Sequence, residues 1–230
     1  MTSLSRLAPA LLAALAVFSA TGAAAAALCS SDSKAPPRVI VERFLPDTCS
    51  QCWSRPVAQA DRGAFTIDWI VPGDDSQAPL AAAALPEASE RLAALGYTPE
   101  TPEPQFWKWR HPVVSAQGGK LRVAQGPAVN DYLGVSIGWT PPPAAAGGPF
   151  DAWLLLIEDL PAGSAGATGA RRLVRGALSV EHIALDAKGW SERRSMHIPE
   201  GADPAKLRLV GWIADDRGRL IASAASHCTP

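Results

Sequence analysis

The sequence has no lysine- and arginine-rich patch, and 21 basic against 22 acidic side chains leave a formal charge of −1. A nucleic-acid surface draws its affinity from such a patch, so that class lacks an electrostatic basis here. There is no G-x-S-x-G elbow to carry a hydrolase nucleophile. Nor is there a glycine loop of the Walker or Rossmann kind to cradle a phosphate. No internal repeat is visible. Cysteine is scarce, at four residues, and two of the four lie three apart in "PDTCSQCWSRP" (46–56).

The compartment decides what such a pair can mean. One arginine, Arg6, precedes an apolar core from Leu7 to about Ala20, and a run of alanines ends at Ala27. A basic start, an apolar core and small residues at the exit describe a secretory signal over residues 1–27, cleaved after one of Ala25 to Ala27. Counting the alanines, the stretch reaches the length of a membrane span, but no charged flank follows to halt transfer. Lipidation at Cys29 is disfavoured by Leu28 immediately before it. The mature chain is then expected in a periplasm or outside the cell, off the membrane, where disulfides persist. Cys29, Cys49, Cys52 and Cys228 permit three pairings. The simplest joins Cys49 to Cys52, which are close neighbours, and Cys29 to Cys228, because domain termini often lie close together.

A mature chain of about 200 residues fits one large or two small domains. "RVIVERF" (38–44) and "FTIDWIV" (65–71) read as strands. A helix is expected from about Leu80, with Leu85, Leu92 and Leu95 as its stripe, Pro86 starting or kinking it and Gly96 ending it. "PVVSAQ" and "KLRVA" flank Gly118-Gly119 as a hairpin. Beyond Gln125 come strand-like runs separated by glycine, proline and alanine, with "DDRG" (215–218) as a hairpin turn and 141–148 and 161–170 as exposed loops. The expectation is α+β: an α/β domain over 36–125, then a small antiparallel β-sandwich-like domain over 126–230.

Asp47 or Thr48 can cap a helix whose first turn holds Cys49 and Cys52, with Pro56 bending that helix without ending it. At a helix start the first thiol meets free N–H groups, which lowers its pKa. The second, one turn on, is placed to resolve a mixed disulfide.

With its later helix and X-Pro-strand, "VIVERFLPDTCSQCWSRP" resembles the thioredoxin superfamily. Within it, the layout is similar to the secreted bacterial DUF1223 family, whose C-S-x-C matches Cys49-Ser50-Gln51-Cys52. The resemblance implies a thioredoxin-like first domain and thiol–disulfide exchange with protein substrates. Cys49 would be the nucleophile and Cys52 the resolving thiol, without a cofactor. It also implies a cis-proline facing the pair. "GYTPE" (96–100) matches the family's letters, but "RHPVV" (110–114) has the strand that must follow, which points to Pro112, with His111 beside the dithiol.

Other readings stand beside this one. The pair can be a structural disulfide in a binding module. Cys49 and Cys52 can instead join His227 and Cys228 as a Cys₃His set for zinc or Cu(I). His182 and His197 read as half-exposed strand residues. Of the eight tryptophans, Trp69, Trp153 and Trp212 read as core. Trp107 and Trp109 read as sheet packing or as the lining of a groove.

Overall fold

A computed structural model describes residues 28–32, 34–56, 63–97, 106–114, 119–143, 149–185 and 189–228. The expected signal segment, Pro99 and the loop 144–148 lie outside these residues.

The chain runs β1 (Cys29–Ser30), β2 (Val39–Pro46), α1 (Ser50–Ser54), β3 (Phe65–Val71), α2 (Pro86–Ala94), β4 (Trp107–Pro112) and β5 (Lys120–Val129). It continues as β6 (Tyr132–Thr140), β7 (Asp151–Leu160), β8 (Arg171–Val180), β9 (Trp190–His197), β10 (Leu207–Ala214), β11 (Leu220–Ala225) and β12 (His227–Cys228). Five strands form an antiparallel sheet in the order β12-β1-β5-β6-β9. Seven form a mixed sheet, β11-β10-β7-β8-β3-β2-β4, in which β3 is parallel to β2 and to β8.

This corrects the expected fold. The described residues are mostly β, with two short α-helices and no separate thioredoxin-like α/β domain. The boundary placed near 125 falls inside β5, and the seven-stranded sheet takes three strands from before it and four from after it. Local pattern identified the strands but could not tell which would pair. The Gly118-Gly119 hairpin fails for that reason: β4 pairs with β2, while β5 pairs with β1 and β6 in the other sheet. The real hairpin turn is Asn130-Asp131, both at positive φ (49° and 61°), the conformation a tight antiparallel turn requires.

The seven-stranded sheet curls until Val114, just past edge strand β4, donates to the Leu220 carbonyl at the opposite edge (2.8 Å). Alternation along β7 then buries both faces. Leu154 and Leu156 pack outward against Val123, Val135, Ile137 and Trp139 of the five-stranded sheet. Leu155 and Ile157 face into the curl with Phe44, Trp69, Trp212 and the α2 residues Ala88 and Leu92. Trp69 and Trp212 are core, as expected, and Trp153 is half-buried beside them. Trp107 packs edge-on against Tyr97, and Trp109 against Phe44, so these two belong to packing.

Helix α2 starts at Pro86 rather than Leu80. The residue before a proline is driven out of the helical region, and Leu85 is extended (ψ 130°). A single 3₁₀ turn, Ala81–Ala83, precedes it. Gly96, at φ 89°, ends the helix as expected. The "DDRG" turn also forms, with the Asp215 carboxylate accepting from the backbone N–H of Arg217 and Arg219 between β10 and β11.

Candidate functional site at the Cys49–Cys52 disulfide

Strand β2 delivers the chain to Asp47, which is buried and holds the turn in three ways. Its N–H donates to Val71, its carbonyl accepts from Leu80, and its carboxylate accepts from the Gly73 N–H at 2.8 Å. A Cβ at Gly73 would sit 2.8 Å from that carboxylate, so any larger residue would have to push it aside. Cys49 follows as the N-cap of α1, and its Sγ accepts from the Cys52 N–H at 3.2 Å. Cys49 and Cys52 are joined as a disulfide. Cys49 is half-buried, whereas Cys52 is 4% exposed among Leu45, Trp53, Ile70 and Leu173.

The helix is shorter than expected. It spans five residues and stops at Ser54, because Pro56 forces Arg55 into an extended conformation (ψ 138°). Pro56 therefore ends the helix rather than bending it. So few aligned peptides carry little dipole, and the sulfur's polar support reduces to one N–H.

The far end of α1 is clamped. The buried guanidinium of Arg171 donates to the carbonyls of Trp53 and Arg55 and lies 5.3 Å from the centre of the Trp53 ring. The Trp53 indole N–H donates to the Ala165 carbonyl at 2.6 Å, and the Thr168 hydroxyl to the Ser54 carbonyl at 2.6 Å. The 161–170 segment is exposed along most of its length, as expected, yet it is tied down on α1. Beneath lies a buried pair of Arg43 with Asp68, and Arg171 Nη1 is 3.7 Å from the same carboxylate. Burial pushes the Asp68 carboxyl up to about 6, against the pull of Arg43. A cleft of about 170 Å³ opens beside Cys52, with Arg43, Arg55, Phe106 and Lys108 on its walls.

Pro112 does not belong here. Its peptide bond is trans, since no cis bond occurs among the described residues. It pairs with Val39 at the start of β2, seven residues before the strand reaches Pro46. At about 3.3 Å per residue that is roughly 23 Å from the end where the dithiol sits. His111 is likewise remote: its Nε2 lies 3.1 Å from Glu42 Oε1, on the α2 face of the sheet, opposite α1. The Cys₃His set is not assembled, because Cys29 and Cys228 form the second disulfide, in the other sheet. His182 lies in a turn at φ 52°, outside any strand, while His197 is exposed in β9 against Tyr132.

A second polar cluster escaped the sequence reading. Glu42 is completely buried inside the curl, where it accepts from Arg91 (2.6 Å at Nη2) and from the Trp69 indole (3.1 Å). The Arg91 guanidinium in turn faces the rings of Trp153 and Trp212, at 4.9 and 5.5 Å. The signal was present in "VIVERF", where Glu42 stands two residues from both Ile40 and Phe44 on one apolar face.

No family model and no curated protein matches this chain. Among solved structures the fold is similar to that of HBP35 of Porphyromonas gingivalis, with a TM-score of 0.50 and 12% identity over 84% of this chain and 75% of that one. At that identity the likeness concerns fold alone.

Proposed function

We propose that this is a periplasmic or secreted protein whose Cys49–Cys52 disulfide exchanges with the thiols of other proteins. The observation that carries this reading is the unequal exposure of the two sulfurs: Cys49 reaches the surface and Cys52 is 4% exposed. A substrate thiolate attacks Cys49 Sγ, the bond to Cys52 breaks, and Cys52 leaves as a thiolate. A second substrate thiolate then attacks the substrate sulfur of the mixed disulfide and expels Cys49. Two substrate thiols become one disulfide, and the protein disulfide becomes a dithiol. The same steps run in reverse from the reduced protein. The two disulfides in one chain support the oxidising compartment, where such bonds persist.

One observation favours a second reading, a structural staple in a binding module. Arg171, Trp53 and Thr168 hold α1 tightly, whereas an exchanging pair needs room for a mixed disulfide.

After mild reduction, alkylation near pH 6 is expected to label Cys49 roughly tenfold faster than Cys52, following exposure. Cys52→Ser should trap a mixed disulfide with an oxidised model peptide, and Cys49→Ser should trap none. If both variants unfold and neither captures peptide, the staple is the correct reading.

A further inference from the structure

A second concavity lies at the start of β2, the end of that strand away from Cys49. Its volume is about 680 Å³, within the range that small-molecule sites occupy. It forms where the segment linking β1 to β2 meets the start of β5 and strand β11. Strand β11 reads Leu-Ile-Ala-Ser-Ala-Ala, so Ala222, Ala224 and Ala225, joined by Leu121, make an apolar floor with little side chain on it. The walls are held in place. Two prolines in succession, Pro36 and Pro37, stiffen the linking segment. The Ser223 hydroxyl donates to the Pro37 carbonyl (2.5 Å), and the Val113 N–H to the Arg38 carbonyl (2.9 Å).

Three cations stand on these walls. Lys34, Arg38 and Lys120 are exposed, and none makes an ion pair among the described residues. Asp32 is the one carboxylate among the described lining residues, and Arg122 holds both of its oxygens at 2.7–2.9 Å. Ser33 and residues 115–118, chain neighbours of lining residues, lie outside the described set, and their sequence, Ser and Ser-Ala-Gln-Gly, adds no acidic side chain. We propose that this cavity binds an amphipathic anion, a carboxylate or phosphate head on an aliphatic chain. The head sits among Lys34, Arg38 and Lys120, and the chain lies on the alanine floor. The site is separate from the disulfide and does not rest on the exchange reading.

Two effects act together on such a ligand. Like charges gathered around one concavity concentrate anions there and repel cations. A preformed apolar floor adds up to about fourfold in affinity for each methylene it covers, with little ordering cost to the protein. A bare anion gains only a surface attraction that salt screens. An aliphatic cation meets the floor but the wrong charge.

The test is calorimetric titration of the full mature chain, both disulfides intact, with decanoate, decyl phosphate, decyltrimethylammonium and acetate at low salt. Decanoate or decyl phosphate is expected to bind at least about tenfold more tightly than either the alkyl cation or acetate. Arg38→Glu combined with Lys120→Glu, both at exposed positions, should weaken the alkyl anion about tenfold or more while the urea midpoint stays where it was. Equal affinity for the alkyl anion and the alkyl cation in the native protein, or an affinity unchanged by the double substitution, overturns the inference. So does acetate binding as tightly as decanoate, which would leave only a surface attraction for small anions. Absence of binding by both alkyl anions overturns it outright, and none of these outcomes touches the reading of Cys49 and Cys52.

Discussion

Arg91→Ala is expected to destabilise the fold by about 3–5 kcal/mol, the cost of leaving a buried charge without its partner. Glu42 is fully buried, and Arg91 supplies donors from both Nε and Nη2, with the Trp69 indole as a further donor. Urea unfolding at neutral pH measures the loss, and a change below about 1 kcal/mol would refute the assignment. The double variant Glu42→Gln, Arg91→Met should lose less than the sum of its single changes, because neither charge is then stranded.

The same cluster fixes the acid limb of stability. Burial by itself would raise the Glu42 carboxyl, but Arg91 and His111 hold it at about 2, below the ordinary 4.5. The unfolded chain then binds the proton that the native chain refuses. Glu42's contribution is thus present above pH 4.5 and lost as pH falls toward 2, by about 3 kcal/mol at 1.36 per unit. Asp68 acts with the opposite sign. Its native carboxyl is raised from 3.8 to about 6, so its contribution is full below pH 3.8 and lost as pH rises toward 6. Together the two groups should make stability climb from pH 2 to about 4 and decline from there toward 6. Glu42→Gln should remove the climb and Asp68→Asn the decline; a profile unaltered by either change would contradict both assignments.

The division between what could be read in advance and what could not follows from range. Strands 38–44 and 65–71, the "DDRG" turn and the end of α2 at Gly96 depend on neighbours within a few residues, and all appear. Two helix boundaries are also local, since Pro56 and Pro86 each act through the residue before them: Pro56 ends α1 instead of bending it, and of the start or kink expected at Pro86 the start is what forms. The serious error was one of pairing. Nothing within "RRLVRGAL" says that β8 will lie parallel to β3, more than a hundred residues earlier, and that pairing merges the expected domains into one sheet. The site divides in the same way. Proximity in sequence sufficed for Cys49 and Cys52. Arg171, which clamps their helix, and Arg91, which neutralises Glu42, arrive from distant elements that no local pattern connects.

Breaking the Cys29–Cys228 bridge should have the largest effect of any cysteine substitution. The bond joins residues 199 apart, and in the chain-entropy model a loop of that size contributes about 5 kcal/mol, somewhat less in practice. The structure gives that constraint something to hold. Strand β1 is two residues long and sits between β12 and β5, with Cys29 opposite both Cys228 and Gln125. The ladder beyond it is brief: Ser31 donates to Val123, and Ser226 to Leu209. Without the covalent link, the two-residue strands β1 and β12 have few hydrogen bonds with which to resist fraying. Cys29→Ser with Cys228→Ser is therefore expected to lower stability by roughly 3–5 kcal/mol, read from urea unfolding without reductant. For Cys49→Ser with Cys52→Ser the closed loop is so short that the same model gives only about 1–2 kcal/mol. The order of the two losses carries the argument. If removing Cys49 and Cys52 proves the costlier change, their disulfide is a staple holding α1 against the sheet, and the exchange reading loses its footing.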